Sequence, residues 1–318
     1  MRIALVTAIA AAALDDDLAP LAKALANRGC IVSIVAWDDP TVSWSRFDAA
    51  LLRSPWDYTE RLVEFLGWCE QTAQKTQLLN PVDVVRWNTN KRYLADLERS
   101  GVAIIPSHFI AACEPAERFP EFAEFVVKPC VGAGSRDTQR YVAAQRDQAV
   151  VHVQRLLDAK RDVLVQPYLD QVDHHGETAL IFFNGLFSHA IRKAPLLKRD
   201  GAATSSLFAP EAITPREPSA AEIDLAHRVL AAIPGGAPLY ARVDLLPSAE
   251  GPRLLELELT EPSLFFAHAA GSAERFAAAI EAVVQPAVRV KNDITRSAKT
   301  SGNSVVVSSL TSGASGRS

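Results

Sequence analysis

Tyr240-Ala-Arg-Val-Asp-Leu-Leu246 and Leu254-Leu-Glu-Leu-Glu-Leu-Thr-Glu-Pro-Ser263 are two strand-like runs joined by Pro247-Ser-Ala-Glu-Gly-Pro252. The Pro and Gly of the joining segment suit a hairpin connection. Alternate side chains of a strand share a face, so Glu256 and Glu258 point the same way. The neighbouring strand can bring Asp244 alongside them. Three carboxylates crowded on one face repel each other unless a cation lies between them. Hard oxygen ligands with room for phosphate oxygens suit Mg²⁺, which binds through a few carboxylates plus substrate phosphates. An amphipathic hairpin whose polar face meets water has the same pattern, and the hairpin by itself leaves both readings open.

The chain of 318 residues is 48% hydrophobic, enough to bury the cores of two or three lobes. A net charge of −4 without a dense Lys/Arg run argues against a nucleic-acid surface. Cys30, Cys69, Cys113 and Cys130 are far apart and form no CxxC pair. They read as thiols of a reducing compartment, not as disulfides or a zinc site. The segment from Ile3 to Leu14 is apolar and Ala-rich enough to imitate a signal peptide, but Asp15-Asp16-Asp17 follows at once. Arg2 to Thr7 also reads as a buried first strand, so a cytoplasmic α/β start is expected. No apolar stretch reaches membrane-spanning length, and no membrane partner is expected.

The first lobe alternates strands 2–7, 30–36 and 48–53 with helices 18–28 and 59–73, a βαβ rhythm that predicts a parallel sheet. It lacks a GxGxxG turn, which weakens a dinucleotide-binding reading. A helix is expected from Asn88 to Ser100, closed by Gly101. Strands follow at 125–129, 141–143 and 163–167, with a helix over 149–159. Asn184-Gly185 signals a hairpin between Thr178–Phe183 and Leu186–Lys193. The aperiodic stretch from Leu196 to Pro218 reads as a lid or a disordered loop. Helices 220–232 and 273–284 complete the fold, and the Ser/Thr/Gly-rich tail after Lys291 is expected to be disordered.

Lys128 ends a strand and is followed by Gly132 and Gly134, which would let backbone N–H groups approach phosphate oxygens. Lys91, in Trp87-Asn-Thr-Asn-Lys91, lies near a helix start. Gln166, Tyr168 and Leu169 leave a strand where backbone groups could meet a purine edge, with Glu177 beyond them. Arg192 ends a hairpin strand, and Arg242 stands two residues before Asp244 on the same face. Each feature alone has a plainer reading as a surface lysine, a turn or a salt bridge.

In this order, two lysines, a Gly-rich loop, a strand-end segment, arginines and a D…E-x-E hairpin resemble the ATP-grasp superfamily. The closest branch is that of glutathione synthetase and related acid–amine ligases. The resemblance covers roughly Trp87 to Ala270. It implies an α/β fold of two lobes clasping ATP, preceded by a Rossmann-like domain. The implied divisions are 1–86 (the preceding domain), 87–168 (the small lobe), 169–290 (the lobe with the metal site) and 291–318 (the tail). It also implies ATP contacts from Lys91, Lys128, Gly132, Ala133, Gly134, Ser135, Gln166, Tyr168, Leu169 and Glu177. Two Mg²⁺ ions would sit on Asp244, Glu256 and Glu258, and Arg242 and Arg192 would act on the reacting groups. Dimers are common in the family, making a homodimer one expectation.

Two departures stand out. Glu258 occupies a position usually held by Asn, and Ala179 stands where glutathione synthetase carries a substrate arginine, which points away from glutathione synthesis. Leu52-Arg-Ser-Pro-Trp-Asp-Tyr58, Arg86-Trp-Asn-Thr-Asn-Lys-Arg-Tyr93 and Leu257-Glu-Leu-Thr-Glu-Pro-Ser263 resemble the O-ureido-D-serine cyclo-ligases, ring-forming enzymes of antibiotic biosynthesis. That likeness implies a small, amino-acid-like substrate. Arg53, Trp56, Asp57 and Tyr58, at a strand end of the first lobe, are the candidate substrate contacts. The rival classes are an intermolecular amino-acid ligase and a nucleotide-binding regulator without turnover.

Overall fold

The computed structural model describes residues 1–11, 13–197 and 212–284. The tail from 291 and most of the expected lid lie outside them. The first lobe comprises β1 (Arg2–Thr7), α1 (Leu18–Asn27), β2 (Ile31–Ala36), β3 (Ala49–Ser54), α2 (Leu62–Ala73) and β4 (Gln77–Leu79). Its four strands form a parallel sheet in the order β2-β1-β3-β4. β3 is buried along its whole length and β1 from Ile3 onward, as central strands covered on both faces require. The helix expected from 59 starts at Leu62, after a short 3₁₀ turn at Trp56–Thr59. Trp56 and Tyr58 turn inward there, and Tyr58 stacks on Phe65 with ring centroids 5.1 Å apart.

The single helix expected over 88–100 is two helices, α3 (Val82–Asn88) and α4 (Tyr93–Arg99). Between them Lys91 N donates to Cys130 O at 2.8 Å, tying the break to the small lobe. That lobe is an antiparallel sheet of β5 (His108–Ile110), β6 (Glu124–Pro129), β7 (Gln139–Val142) and β8 (Val163–Pro167), ordered β5-β8-β6-β7. Helix α5 (Arg146–Asp158) covers it, burying Ala149, Val153, Leu156 and Leu157 against Phe125, Val127 and Val165.

The third unit contains α6 (Val172–His175), β9 (Glu177–Phe183), β10 (Leu186–Lys193), β11 (Ile213–Arg216), α7 (Ala220–Ala231), β12 (Tyr240–Leu246) and β13 (Arg253–Glu258). A last helix, α8, runs over residues 272–284. The sheet is antiparallel, ordered β11-β10-β9-β12-β13. Asn184 and Gly185 both have positive φ, as the tight β9–β10 turn demands. One core joins Leu180, Phe182, Val243 and Leu257 to α7. Val84, Tyr93, Leu94, Leu97 and Ile104 belong to that same core, so residues from 87 to about 104 pack with the third unit. The sheet of the small lobe begins at His108. Another core joins Phe183, Ile191, Tyr240 and Phe276 to Leu5, Leu21 and Leu25 of the first lobe.

His152 on α5 is buried, and its Nδ1 lies 3.0 Å from Tyr141 Oη. Burial pushes its imidazole down to about 4, against 6.5 for a free side chain. The unfolded chain therefore takes up a proton below pH 6.5 that the folded chain refuses until about 4. Stability falls across that window by up to about 3 kcal/mol. Denaturation midpoints followed from pH 7 to 4 should fall less for His152→Asn, which does not titrate, than for the unaltered chain.

Candidate active site

The two antiparallel sheets, with loop residues of the first lobe, line one cavity of about 660 Å³. The D…E-x-E hairpin forms one wall. Asp244 pairs with Glu256 across β12 and β13, and Arg242 pairs with Glu258. Asp244 is 1% exposed and accepts from Arg242 Nε at 2.9 Å and Nη2 at 2.8 Å, and from Lys193 Nζ at 2.9 Å. Burial opposes its charge, but Arg242 and Lys193 hold it well below the usual carboxylate range. Arg242 also donates to Glu258 and to Ser263 O at 3.2 Å.

Lys91 Nζ reaches Glu256 Oε1 at 2.8 Å and Gly132 O at 2.9 Å, joining the hairpin to the glycine loop. Burial works against the Lys91 charge, and Glu256 more than offsets it. Lys128 has no such direct carboxylate contact, so burial and the nearby Lys91 push it down to about 8, with Glu256 acting in the opposite sense. Glu256 is lowered despite burial, by Lys91 and Lys128. Glu258 goes the other way, raised to about 7 by burial and by Glu256 and Asp244, with Arg242 opposing.

Asp244, Glu256 and Glu258 stand together on one face of the hairpin. Among the described residues no three His, Cys, Asp or Glu side chains group as a metal cage. The donor chemistry nevertheless fits Mg²⁺, which takes one or two carboxylates together with phosphate oxygens and water. Glu256 and Glu258 are the carboxylates best placed to hold it, since Asp244 is already engaged by two cations.

The remaining candidates separate cleanly. Gly132, Ala133, Gly134, Ser135, Gln166, Tyr168, Leu169 and Glu177 line the cavity. Gln166 donates to Ser107 Oγ at 2.9 Å, and the Arg140 guanidinium lies 3.4 Å from the Tyr168 ring centroid. Arg192 does not line the cavity. Its Nε donates to His175 O at 2.6 Å and its Nη2 to His174 O at 3.2 Å, beneath the Gly176 turn. Lys193, its neighbour on the opposite face of β10, enters the cavity and pairs with Glu177 and Asp244. Of the four candidate substrate contacts only Trp56 lines the cavity. Arg53 is fully buried behind the wall, donating to Pro262 O at 2.8 Å. Asp57 is bound by Trp37 Nε1 at 2.8 Å and Arg61 Nη1 at 3.0 Å. Tyr58 donates to Glu261.

Sequence reasoning missed Lys193, Glu261 and the Asp15–Asp17 segment, all of which line the cavity. Asp17 accepts the backbone N–H groups of Leu264, Phe265 and Phe266 at 2.6, 3.1 and 2.9 Å, holding a left-handed turn at Phe265. Glu261 is 7% exposed, and burial with the Glu258 charge pushes it up to about 8.

Residues 3–80 match the family model described as the N-terminal domain of D-cycloserine synthetase DcsG. D-alanine–D-alanine ligase of Bacillus anthracis superposes with a TM-score of 0.61 over 92% of this chain and 99% of that one, at 15% identity. The ATP-grasp ligase PsnB, solved with a precursor, Mg and ADP, gives 0.59 over 89% and 97%, at 19% identity. The crystal structure of D-cycloserine synthetase DcsG gives 0.84 at 39% identity, covering 89% of this chain and 100% of that one. The cycloserine biosynthesis protein DcsG of Streptomyces lavendulae is 41% identical over 301 residues, 89% of this chain and 99% of its own length. The fold is that of the ATP-grasp ligases. The chain belongs to the D-cycloserine synthetase (DcsG) family. No helix among the described residues is long and apolar enough to cross a membrane.

Exchanging the adjacent basic residues separates their contributions. Lys193→Ala should lower kcat/KM for ATP at least 100-fold, because it removes a cavity cation and leaves Asp244 and Glu177 underpaired. Arg192→Ala should stay within about fivefold of the unaltered enzyme, read in the same steady-state assay. The ligand-free Lys128 must also be protonated to attract a polyphosphate. As pH rises through about 8 its charge is lost, so kcat/KM for ATP should fall above that pH. Lys128→Arg, cationic throughout, should abolish the decline.

Proposed function

We propose that this chain uses ATP to activate the carboxylate of O-ureido-D-serine and closes the molecule through its own N–O nitrogen, releasing ADP and phosphate, after which water removes the carbamoyl group from the ring nitrogen as carbon dioxide and ammonia to leave D-cycloserine. The observation that carries the reading is the gathering of Lys91, Lys128, Lys193, Arg242, Glu256 and Glu258 around one cavity. The 41% identity to a cycloserine biosynthesis protein over nearly its whole length supports the substrate.

A carboxylate is a poor electrophile, and phosphorylation turns one of its oxygens into a leaving group. Catalysis of phosphoryl transfer is mainly positioning and charge neutralisation. On this reading Lys91 and Lys128 hold the triphosphate, and the loop Gly132, Ala133, Gly134 and Ser135 lays backbone N–H groups over it. Gln166, Tyr168 and Leu169 take the purine, with Arg140 stiffening the Tyr168 ring from behind. Glu177, expected at the ribose, is ion-paired with Lys193, which supports a part in aiming that lysine at the transferred phosphoryl group. Bound Mg²⁺, two ions by the family's pattern, held by Glu256 and Glu258 with Asp244 beside them, would supply the charge that offsets the phosphates. Arg242 faces the substrate carboxyl and stabilises the tetrahedral oxyanion when nitrogen adds. Asp244 keeps that guanidinium in place through three short N–H···O contacts. Trp56 closes the substrate end of the cavity. The same reading carries the family's homodimer and a cytoplasmic location.

Incubating the protein with Mg²⁺, ATP and O-ureido-D-serine should yield ADP and D-cycloserine in equal amounts. AMP as the nucleotide product, or ADP without a ring product, would overturn the reading.

A further inference from the structure

A nitrogen that attacks an acyl phosphate must shed a proton, and the cavity offers few groups to take it. Asp244 lies between Arg242 and Lys193, Glu256 is paired with Lys91, Glu177 with Lys193, and Glu258 with Arg242. Each of these carboxylates is committed to a cation, and of the other acceptors that line the cavity Asp17 is taken up by the Leu264–Phe266 backbone, Asp15 accepts from Asp17 N, Asp16 is exposed and His268 is half-buried. Glu261 differs from them: it lines the same cavity, is almost fully buried, and has no ion-pair partner among the described residues. Tyr58 donates to its carboxyl, and Trp56 Nε1 donates to its backbone carbonyl at 3.2 Å. Arg53 grips the next carbonyl, Pro262 O, at 2.8 Å. Trp56 and Arg53 thus hold the backbone at Glu261 and Pro262 while Tyr58 meets the carboxyl, so first-lobe side chains set where this acid stands in the cavity. Their number and burial exceed what an idle surface acid receives.

We propose that Glu261 is the catalytic base that accepts the proton of the attacking nitrogen. The inference rests on the ligase reading above. The nitrogen lone pair forms the C–N bond, and the C–O bond to phosphate breaks with its electron pair leaving on the phosphate. The N–H proton passes to the Glu261 carboxylate, and Tyr58 steadies the acid before and after. Phosphorylation of the substrate carboxylate needs no such base, so the two halves of the reaction depend on Glu261 differently.

The test is single turnover with O-ureido-D-serine and Mg²⁺-ATP, quenched in acid, counting ADP against ring product. In the unaltered enzyme the two should appear together. Glu261→Gln keeps the shape and can still accept from Tyr58. It should form ADP at a rate within tenfold of normal, while ring product falls by a factor of about 100 to 10,000, the usual worth of a positioned base. Glu261→Asp should recover part of that loss, and thermal melts confirm that both variants are folded. Equal losses of ADP and product in Glu261→Gln, or an unchanged product yield per ADP, would overturn the assignment. An unaltered enzyme that makes no ADP with this substrate would instead sink the ligase reading.

Discussion

Asp244 lies at the centre of the site's electrostatics, with Arg242 on its own strand and Lys193 arriving from β10. A carboxylate at 1% exposure is tolerable only because both cations share it. The arrangement couples three strands. β9 lies between β10 and β12, so Lys193 must cross over the small Ala179 to reach its partner. The alanine that departs from the glutathione synthetase pattern thus clears the space this ion pair occupies. Removing one partner would leave a buried charge unpaired, which costs several kcal/mol in comparable sites.

Such a network needs a rigid wall, and among the described residues β13 is the edge strand of its sheet. Its outer edge is held at Leu254 by the backbone of Ala103 and Ile105, and beyond that by side chains. Asn88 donates to Leu257 O at 2.7 Å and accepts from Leu259 N at 2.7 Å, and Leu257 N donates to Tyr93 Oη at 2.8 Å. Asn80 grips the next stretch, donating to Leu259 O at 2.7 Å and Tyr240 O at 3.1 Å. These amides imitate a neighbouring strand on either side of Glu258, satisfying backbone groups that would otherwise be exposed or orphaned. Asn88 ends α3, which explains why the helix expected to start there stops there: its side chain is turned to β13.

Much of this was legible in the sequence because it is local. Period-two alternation placed Glu256 and Glu258 together, and Asn184-Gly185 marked the hairpin. Lys193 lines the cavity and Arg192 does not, for a definable reason. Counting pairs back from the Asn184-Gly185 turn sets Arg192 opposite Glu177. A bulge between Phe187 and His189 adds one residue to β10, so Lys193 meets Glu177 and Arg192 turns to the other face. No residue type announces that bulge. Glu261 was hidden for another reason: its environment is made by Trp56 and Tyr58, about 200 positions earlier. Nor does the sequence announce that α3 and α4, which precede the small-lobe sheet, share a core with the third sheet.

The cations of the cavity are partly neutralised from within, Lys91 by Glu256 and Lys193 by Asp244 and Glu177. A triphosphate adds several negative charges to a cavity whose carboxylates already offset its basic groups. It cannot settle against Lys91 and leave Glu256 as it stands, since that carboxylate would lose its partner beside an incoming anion. On the ligase reading, divalent cations must enter with the nucleotide, taking over Glu256 and Glu258 as Lys91 turns to phosphate. The Glu258 carboxyl, raised by burial and by Glu256 and Asp244, points the same way. Nucleotide and metal are then one thermodynamic event, and the carboxylate wall is tuned for their joint arrival.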